Sequence, residues 1–289
     1  MKKIVMLIPC LMLENNREAN LKSMKLAKEN YPVDEFVVYD QEFKKEDYLE
    51  GFTYIGHQEK RQGFIEPRNS LIRWFYKSDY DYAIWMDANE FLSKPSINDF
   101  TTLINYLRYN DNVDVIMTSM GIQVDANRME LKQKEDYLDT VHLIPINKGY
   151  RWFHFMFMKN FWKYYHVAPH LDKRCNPHEG LGEDEYFGFL MHRMFQCYCA
   201  PTICSCKPSN KTSTWQNEKD SYDYPKTQQE VLQEMVYLNH VEVYKNFQHR
   251  NNVGEIIIPR LDDKWKPFVK PYKSRSKKNQ DYQLDLFDF

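Results

Sequence analysis

Apolar residues run almost unbroken through "KIVMLIPC" (3–10), recur at helical intervals in "NREANLKSMKLAKENYP" (16–32) and close up again in "EFVVYD" (35–40). A short continuous apolar run predicts a strand buried on both faces, whereas i, i+3, i+4 spacing predicts an amphipathic helix, here stopped by Pro32. The alternation continues with a short strand in "TYIGHQ" (53–58), a helix in "EPRNSLIRWFYKS" (66–78) and a fourth strand in "YDYAIWMDANEF" (80–91) that runs into a loop. A further helix in "INDFTTLINYLRYN" (97–110) and a fifth strand in "VDVIMTSM" (113–120) complete the series. Such alternation predicts an α/β fold: a mostly parallel sheet with helices on both faces and ligands at the carboxyl ends of its strands.

Those carboxyl ends carry the polar residues. The first strand delivers Pro9, the second Asp40, and the fourth "DAN", Asp87 to Asn89. An aspartate leaving a fully apolar strand is costly to keep unless it is solvated, capped or bound to a cation. Magnesium and manganese take oxygen ligands and complete their shells with substrate phosphates, so one or two side chains suffice. The competing reading is that Asp87 caps the turn and Asn89 tolerates a strained backbone.

The second half holds further constellations. In "HEGLGEDEYFGFLMHRMF" (178–195), glycines flank an acidic pair, Glu183 and Asp184, and a helix follows with Phe187, Leu190, Met191 and Met194 on one side. Carboxylates are favoured at a helix N-terminus, as caps or at a cleft mouth. "CYCAPTICSC" brings Cys197, Cys199, Cys204 and Cys206 together and suggests a hairpin, with buried reduced thiols or a zinc site as its two readings. "GYRWFHFMFMKNFWKYYH" (149–166) suggests a strand with one face in the core; Trp152, Phe155, Trp162, Tyr164 and Tyr165, with Arg151, Lys159 and Lys163, are the alternative lining of an acceptor cleft.

Composition changes the picture in two places. The 289 residues are 43% hydrophobic, enough to bury a sizeable core, and the net charge of -2 offers no global attraction to nucleic acid. That balance conceals a local basic cluster, Lys264, Lys266, Lys270, Lys273, Arg275, Lys277 and Lys278, in a Pro-containing segment expected to be a flexible tail able to meet phosphate backbones. The apolar N-terminus is interrupted by Pro9 and lacks a small-residue cleavage site, and no run reaches the roughly 18 apolar residues of a membrane span. A cytoplasmic protein with reduced cysteines and no membrane partner is therefore expected.

"IPC", "YD", "EPRNSLIRWF" and "IWMDANEFL" resemble the GT-A fold glycosyltransferases that use nucleotide sugars, over residues 1 to 120 and patchily to 205. The resemblance implies a nucleotide-sugar-binding half (1–120), a smaller acceptor-binding and catalytic half (121–262) and a tail (263–289). It implies that Pro9, Asp40, Arg68, Asn69 and Asp87 bind the nucleotide sugar, with a UDP-sugar as the expected donor class, Asp40 on the base or ribose and Arg68 and Asn69 near the diphosphate. It further implies a Mn²⁺ or Mg²⁺ ion on Asp87 and Asn89, with His240 as third ligand, and inversion at the sugar with Asp184 as general base beside Glu183. Asn89 departs from the family, which carries a second acid there. The terminal "QLDLFDF", with Gln283, Leu284, Leu286, Phe287 and Phe289, resembles the peptides that dock on replicative sliding clamps, including those of T-even-like bacteriophages. Together these imply a phage DNA glycosyltransferase that acts on 5-hydroxymethylcytosine in the infected host's cytoplasm and moves arabinose or glucose. The competing expectations are a polysaccharide or other carbohydrate acceptor, and an inactive transferase-like module recruited to the clamp.

Overall fold

The computed structural model describes residues 1–63, 65–120, 140–146, 154–171, 183–206, 254–260 and 268–270. The N-terminal run forms β1 (Ile4–Leu11), α1 (Arg17–Asn30), β2 (Glu35–Gln41), β3 (Thr53–Gln58), α2 (Ile65–Lys77) and β4 (Tyr82–Trp85), followed by the two-residue β5 (Phe91–Leu92), α3 (Lys94–Tyr109) and β6 (Val115–Met120). Beyond it lie β7 (Thr140–Pro145), β8 (Phe157–Lys159), α4 (Phe161–Tyr165), α5 (Glu183–Met194), β9 (Cys197–Cys206), β10 (Glu255–Pro259) and β11 (Phe268–Lys270). All strands join one sheet, in the order β11-β10-β7-β9-β6-β8-β4-β1-β2-β3, with β5 on β9.

The α/β architecture expected from the alternation holds. β3, β2, β1 and β4 run parallel, and β6 runs parallel to β9. The chain moves outward from β1 to β3 and then returns to place β4 on β1's other side. That reversal is a topological switch point beside β1 and β4, and an open α/β sheet binds its ligands at the carboxyl ends of the strands at such a point.

Alternation along β1 shows how the layers form. Ile4, Met6, Ile8 and Cys10 point into one apolar cluster with Met24 and Ala27 of α1 and Phe100, Leu103 and Leu107 of α3. Val5 and Leu7 point into the other, with Leu71, Ile72 and Phe75 of α2 and Phe187, Leu190 and Met191 of α5. Both faces of β1 are thus covered, which is why its sequence is a continuous apolar run.

Two local expectations change. The aromatic stretch is not one long strand: β8 is three residues and passes directly into α4. β8 lies antiparallel between β4 and β6, so Phe157 and Met158 enter opposite clusters. Phe155 and Phe161 are buried too, while Trp162 is 49% exposed. The cysteine segment is a single strand, β9, and not a hairpin. Cys197 pairs with Val115 and Ser205 with Met120, five residues along β6 and about 17 Å at ~3.3 Å per residue, so Cys197 and Cys206 lie too far apart for four thiolates to share one zinc. Burial raises the Cys197 thiol well above its ordinary value and lifts Cys199 to about 12, as for inert core thiols.

Asp81 fastens the start of β4 to its neighbours. Its carboxylate accepts from the Lys3 N–H at 2.8 Å, Lys163 Nζ at 2.7 Å and the Tyr164 hydroxyl at 2.8 Å. Burial acts to raise its pKa, but the bonds from Lys163, Lys3 and Tyr164 together outweigh it and hold the group below the ordinary carboxylate range. A depressed folded-state pKa gives stability that is present above the unfolded value, about 3.9, and lost as pH falls through the folded one. Asp81→Asn is therefore expected to destabilise the fold by about 1–3 kcal/mol at neutral pH. In urea titrations the gap to wild type should close below about pH 4.

Within the segment expected to be a flexible tail, Phe268–Lys270 pair antiparallel with β10. The rest of the basic cluster and the terminal peptide lie outside the described residues. No helix among the described residues is long and apolar enough to cross a membrane.

Candidate metal centre

β4 is buried at every position and pairs with β1 up to Trp85, so the first polar residue after it emerges at the sheet's carboxyl edge. That residue is Asp87. The Glu90 N–H donates to the Asp87 carbonyl at 2.9 Å, closing a tight turn, and the chain continues as β5 against β9. The Tyr31 hydroxyl anchors this exit by accepting from the Leu92 N–H at 2.8 Å.

The turn folds Glu90 back beneath Asp87. Glu90 is fully buried. Its Oε1 accepts from Ser205 Oγ at 2.7 Å and its Oε2 from the Asp87 N–H at 3.3 Å. Two neutral donors compensate a buried carboxylate only in part, so further positive charge is favoured beside it.

His154, just ahead of β8, comes from the opposite side. Its Nδ1 lies 3.3 Å from Glu90 Oε1 and 3.7 Å from Asp87 Oδ2. That nitrogen is buried and makes no hydrogen bond among the described residues. The next residue, Phe155, sits at φ 44, a left-handed conformation that costs a bulky side chain of order 1–3 kcal/mol. Packing holds it: Phe155 is fully buried and meets Tyr31 and Phe100 edge-on at 5.7 and 5.8 Å. With the Thr118 hydroxyl bonded to the His154 carbonyl at 3.1 Å, this bend delivers the imidazole to the two acids.

One ligand atom from each of Asp87, Glu90 and His154 lies within 4.8 Å of the others. Arg68, on α2 and 6% exposed, brings a guanidinium nitrogen to 3.9 Å from Asp87 Oδ1. Two carboxylates beside one guanidinium leave a negative balance that a divalent cation would neutralise. The donor set fits one: carboxylate oxygens suit magnesium or manganese, and the imidazole shifts the preference from magnesium toward manganese. Ser205→Ala removes the hydroxyl that orients Glu90 and is expected to weaken Mn²⁺ binding about 10–100-fold, read by electron paramagnetic resonance.

The residues singled out from sequence fall in several places. Asp87 and Arg68 meet in this cluster. Asn89 is half-buried in the same turn, between Asp87 and Glu90, and His240 lies outside the described residues. Pro9 pairs with Tyr39 beyond the last β1–β4 pair, where its missing N–H interrupts no bond to β4. Asn69 spends its amide on a loop: Nδ2 donates to the Leu171 carbonyl and Oδ1 accepts from the Leu171 N–H, both at 2.8 Å. Asp40 is 1% exposed and bonded to Tyr48 and His57. Glu183 and Asp184 open α5.

Glu90 and His154 were not anticipated. Glu90 had a signal, as an acid three residues after Asp87 in a turn that brings such positions together. His154 had none, because its place depends on β8 inserting between β4 and β6.

No protein-family model and no curated relative matches the chain. Among solved structures it is similar to S. aureus TarS 1-349 in complex with UDP-GlcNAc, at 15% identity and a TM-score of 0.47, covering 83% of this chain and 66% of that one. It is similar to S. aureus TarS at 13% identity and a TM-score of 0.48, covering 84% and 44%, and to a protein from STIV at 14% and 0.40, covering 72% and 87%. The chain spans 57% of the S. aureus TarS 1-349 structure.

Proposed function

We propose that this protein is a metal-assisted glycosyltransferase with a nucleotide sugar as donor. The observation that carries the reading is the convergence of Asp87, Glu90 and His154, with Arg68 alongside, at the carboxyl edge where the strand order reverses. Bound there, a divalent cation supplies charge stabilisation for a departing diphosphate. Arg68 adds a fixed positive group on the same side, an interaction that strengthens as negative charge grows in the transition state.

The transfer forms a bond from an acceptor hydroxyl oxygen to the anomeric carbon and breaks that carbon's bond to the diphosphate oxygen. The hydroxyl proton goes to a carboxylate. Asp184, in the first turn of α5, is assigned that task, with Glu183 beside it.

For the acceptor, the basic stretch from Lys264 to Lys278 and the terminal "QLDLFDF" favour 5-hydroxymethylcytosine in DNA, approached through the major groove or as an extruded base. Gln283, Leu284, Leu286, Phe287 and Phe289 would tether the enzyme to a sliding clamp by burying apolar side chains in its pocket.

The test is mass spectrometry of a hydroxymethylcytosine oligonucleotide incubated with the full chain, Mn²⁺ and a panel of UDP-hexoses and UDP-pentoses. A gain of one sugar, absent with unmodified DNA, is the expected result. Transfer to a polysaccharide with none to DNA would overturn the acceptor assignment, and no transfer to either would overturn the activity.

A further inference from the structure

We infer that His57 reads the donor's nucleobase, and that it favours a base presenting a ring N–H at the centre of its Watson–Crick edge, as uracil, thymine and guanine do, over cytosine and adenine, whose ring nitrogen there is an acceptor. The inference rests on the nucleotide-sugar reading above and assigns Asp40 a positioning role in place of direct contact.

Asp40 stands on β2 opposite Cys10 of β1, at the carboxyl edge of the parallel strands. With strands about 4.8 Å apart, it lies about 10 Å across the sheet from the end of β4, a span that a nucleoside diphosphate can bridge from base to phosphates. Its carboxylate, however, is enclosed. Oδ1 accepts from the His57 N–H at 2.9 Å, and Oδ2 accepts from the Tyr48 hydroxyl at 2.8 Å and from His57 Nδ1 at 2.9 Å. At 1% exposure it has little surface to offer a ligand.

His57 is its outward extension, with a side chain 63% exposed. The backbone is built to present it. The β2–β3 register shifts between Tyr39 and Gln41, and Gly56 and His57 have φ 114 and 49 in succession. A Cβ on Gly56 would come within 3.1 Å of the Tyr39 ring, so glycine meets both the conformation and the space. Asp40 then grips His57 by its backbone N–H and its ring.

That grip sets the polarity of the exposed edge. An ionised carboxylate only accepts, so a neutral His57 ring carries its proton on Nδ1 and turns the Nε2 lone pair outward. Nε2 makes no hydrogen bond among the described residues. Uracil N3–H and guanine N1–H can donate to it, whereas cytosine N3 and adenine N1 would set lone pair against lone pair. Tyr48, 41% exposed with its ring 6.4 Å from the His57 ring, offers an adjacent stacking surface.

The experiment is calorimetric titration of the full chain, in Mn²⁺, with UDP, CDP, GDP and ADP, two pairs that change edge polarity at constant ring size. Wild type is expected to bind UDP over CDP and GDP over ADP by about tenfold, the range of one hydrogen bond. His57→Ala is expected to lower UDP and GDP affinity by about that factor while leaving CDP and ADP unchanged. Equal wild-type affinities within the pairs, or preferences that survive His57→Ala, would overturn the inference while leaving the nucleotide-sugar reading intact. The wild-type ratios decide the polarity even if a variant misfolds. A wild-type chain that binds none of the four would overturn both.

Discussion

Asp87→Ala is expected to lower sugar transfer about 10²- to 10³-fold, the effect of removing one preorganised electrostatic group from a transition state. Asp87 suits the test because its side chain is 23% exposed, so truncation leaves no sealed cavity. The melting temperature should stay within about 4 °C of wild type. The loss should fall on kcat and kcat/KM alike, because the charge to be neutralised develops only as the diphosphate departs. Glu90→Ala is a poorer probe. Glu90 is fully buried and bonded to Ser205, so its removal would perturb packing and chemistry together. An Asp87→Ala enzyme within threefold of wild type, measured with saturating donor and Mn²⁺, would contradict the assignment.

Asp184→Asn is expected to lower transfer about 10²- to 10⁴-fold, the usual worth of a positioned general base. The amide keeps the carboxylate's shape and can still cap a helix, so donor affinity and thermal stability should stay near wild type. This separates catalysis from capping. A residue that only caps α5 would show transfer near the wild-type rate, with any change confined to stability at about 0.5–2 kcal/mol. Single-turnover rates with prebound donor, set beside melting curves, discriminate the two.

What the sequence revealed follows from which interactions are local. "EFVVYD" differs from β2 by only one residue, because a buried parallel strand has an apolar run that polar residues delimit, and "TYIGHQ" coincides with β3, a partly exposed edge strand. Phe187, Leu190, Met191 and Met194, expected on one helix side, are all buried. Asp87 was legible as a polar residue leaving an apolar strand, and Arg68 joined it through family resemblance.

The rest was set by tertiary contacts. β8 is central and antiparallel, so the aromatic stretch lost the alternation of a half-buried strand, and His154 reached the acids through a bend stabilised by Phe155 packing on Tyr31 and Phe100. Pro201 suggested a turn in the cysteine segment, yet β9 continues through it. The β6–β9 register shift between Thr118 and Ser119 accommodates the interruption. Asp40 was anticipated as a ligand contact from its place on β2. Its enclosure by Tyr48 and His57 depends on how the chain returns through β3, which no local pattern encodes.

Titration of the full chain with Mn²⁺, followed by electron paramagnetic resonance, tests the central claim most directly. One bound ion per chain is expected, with affinity reduced at least about tenfold in Asp87→Ala and in His154→Ala. A wild-type chain that leaves the Mn²⁺ signal unchanged, or variants that bind the ion as well as wild type, would contradict it.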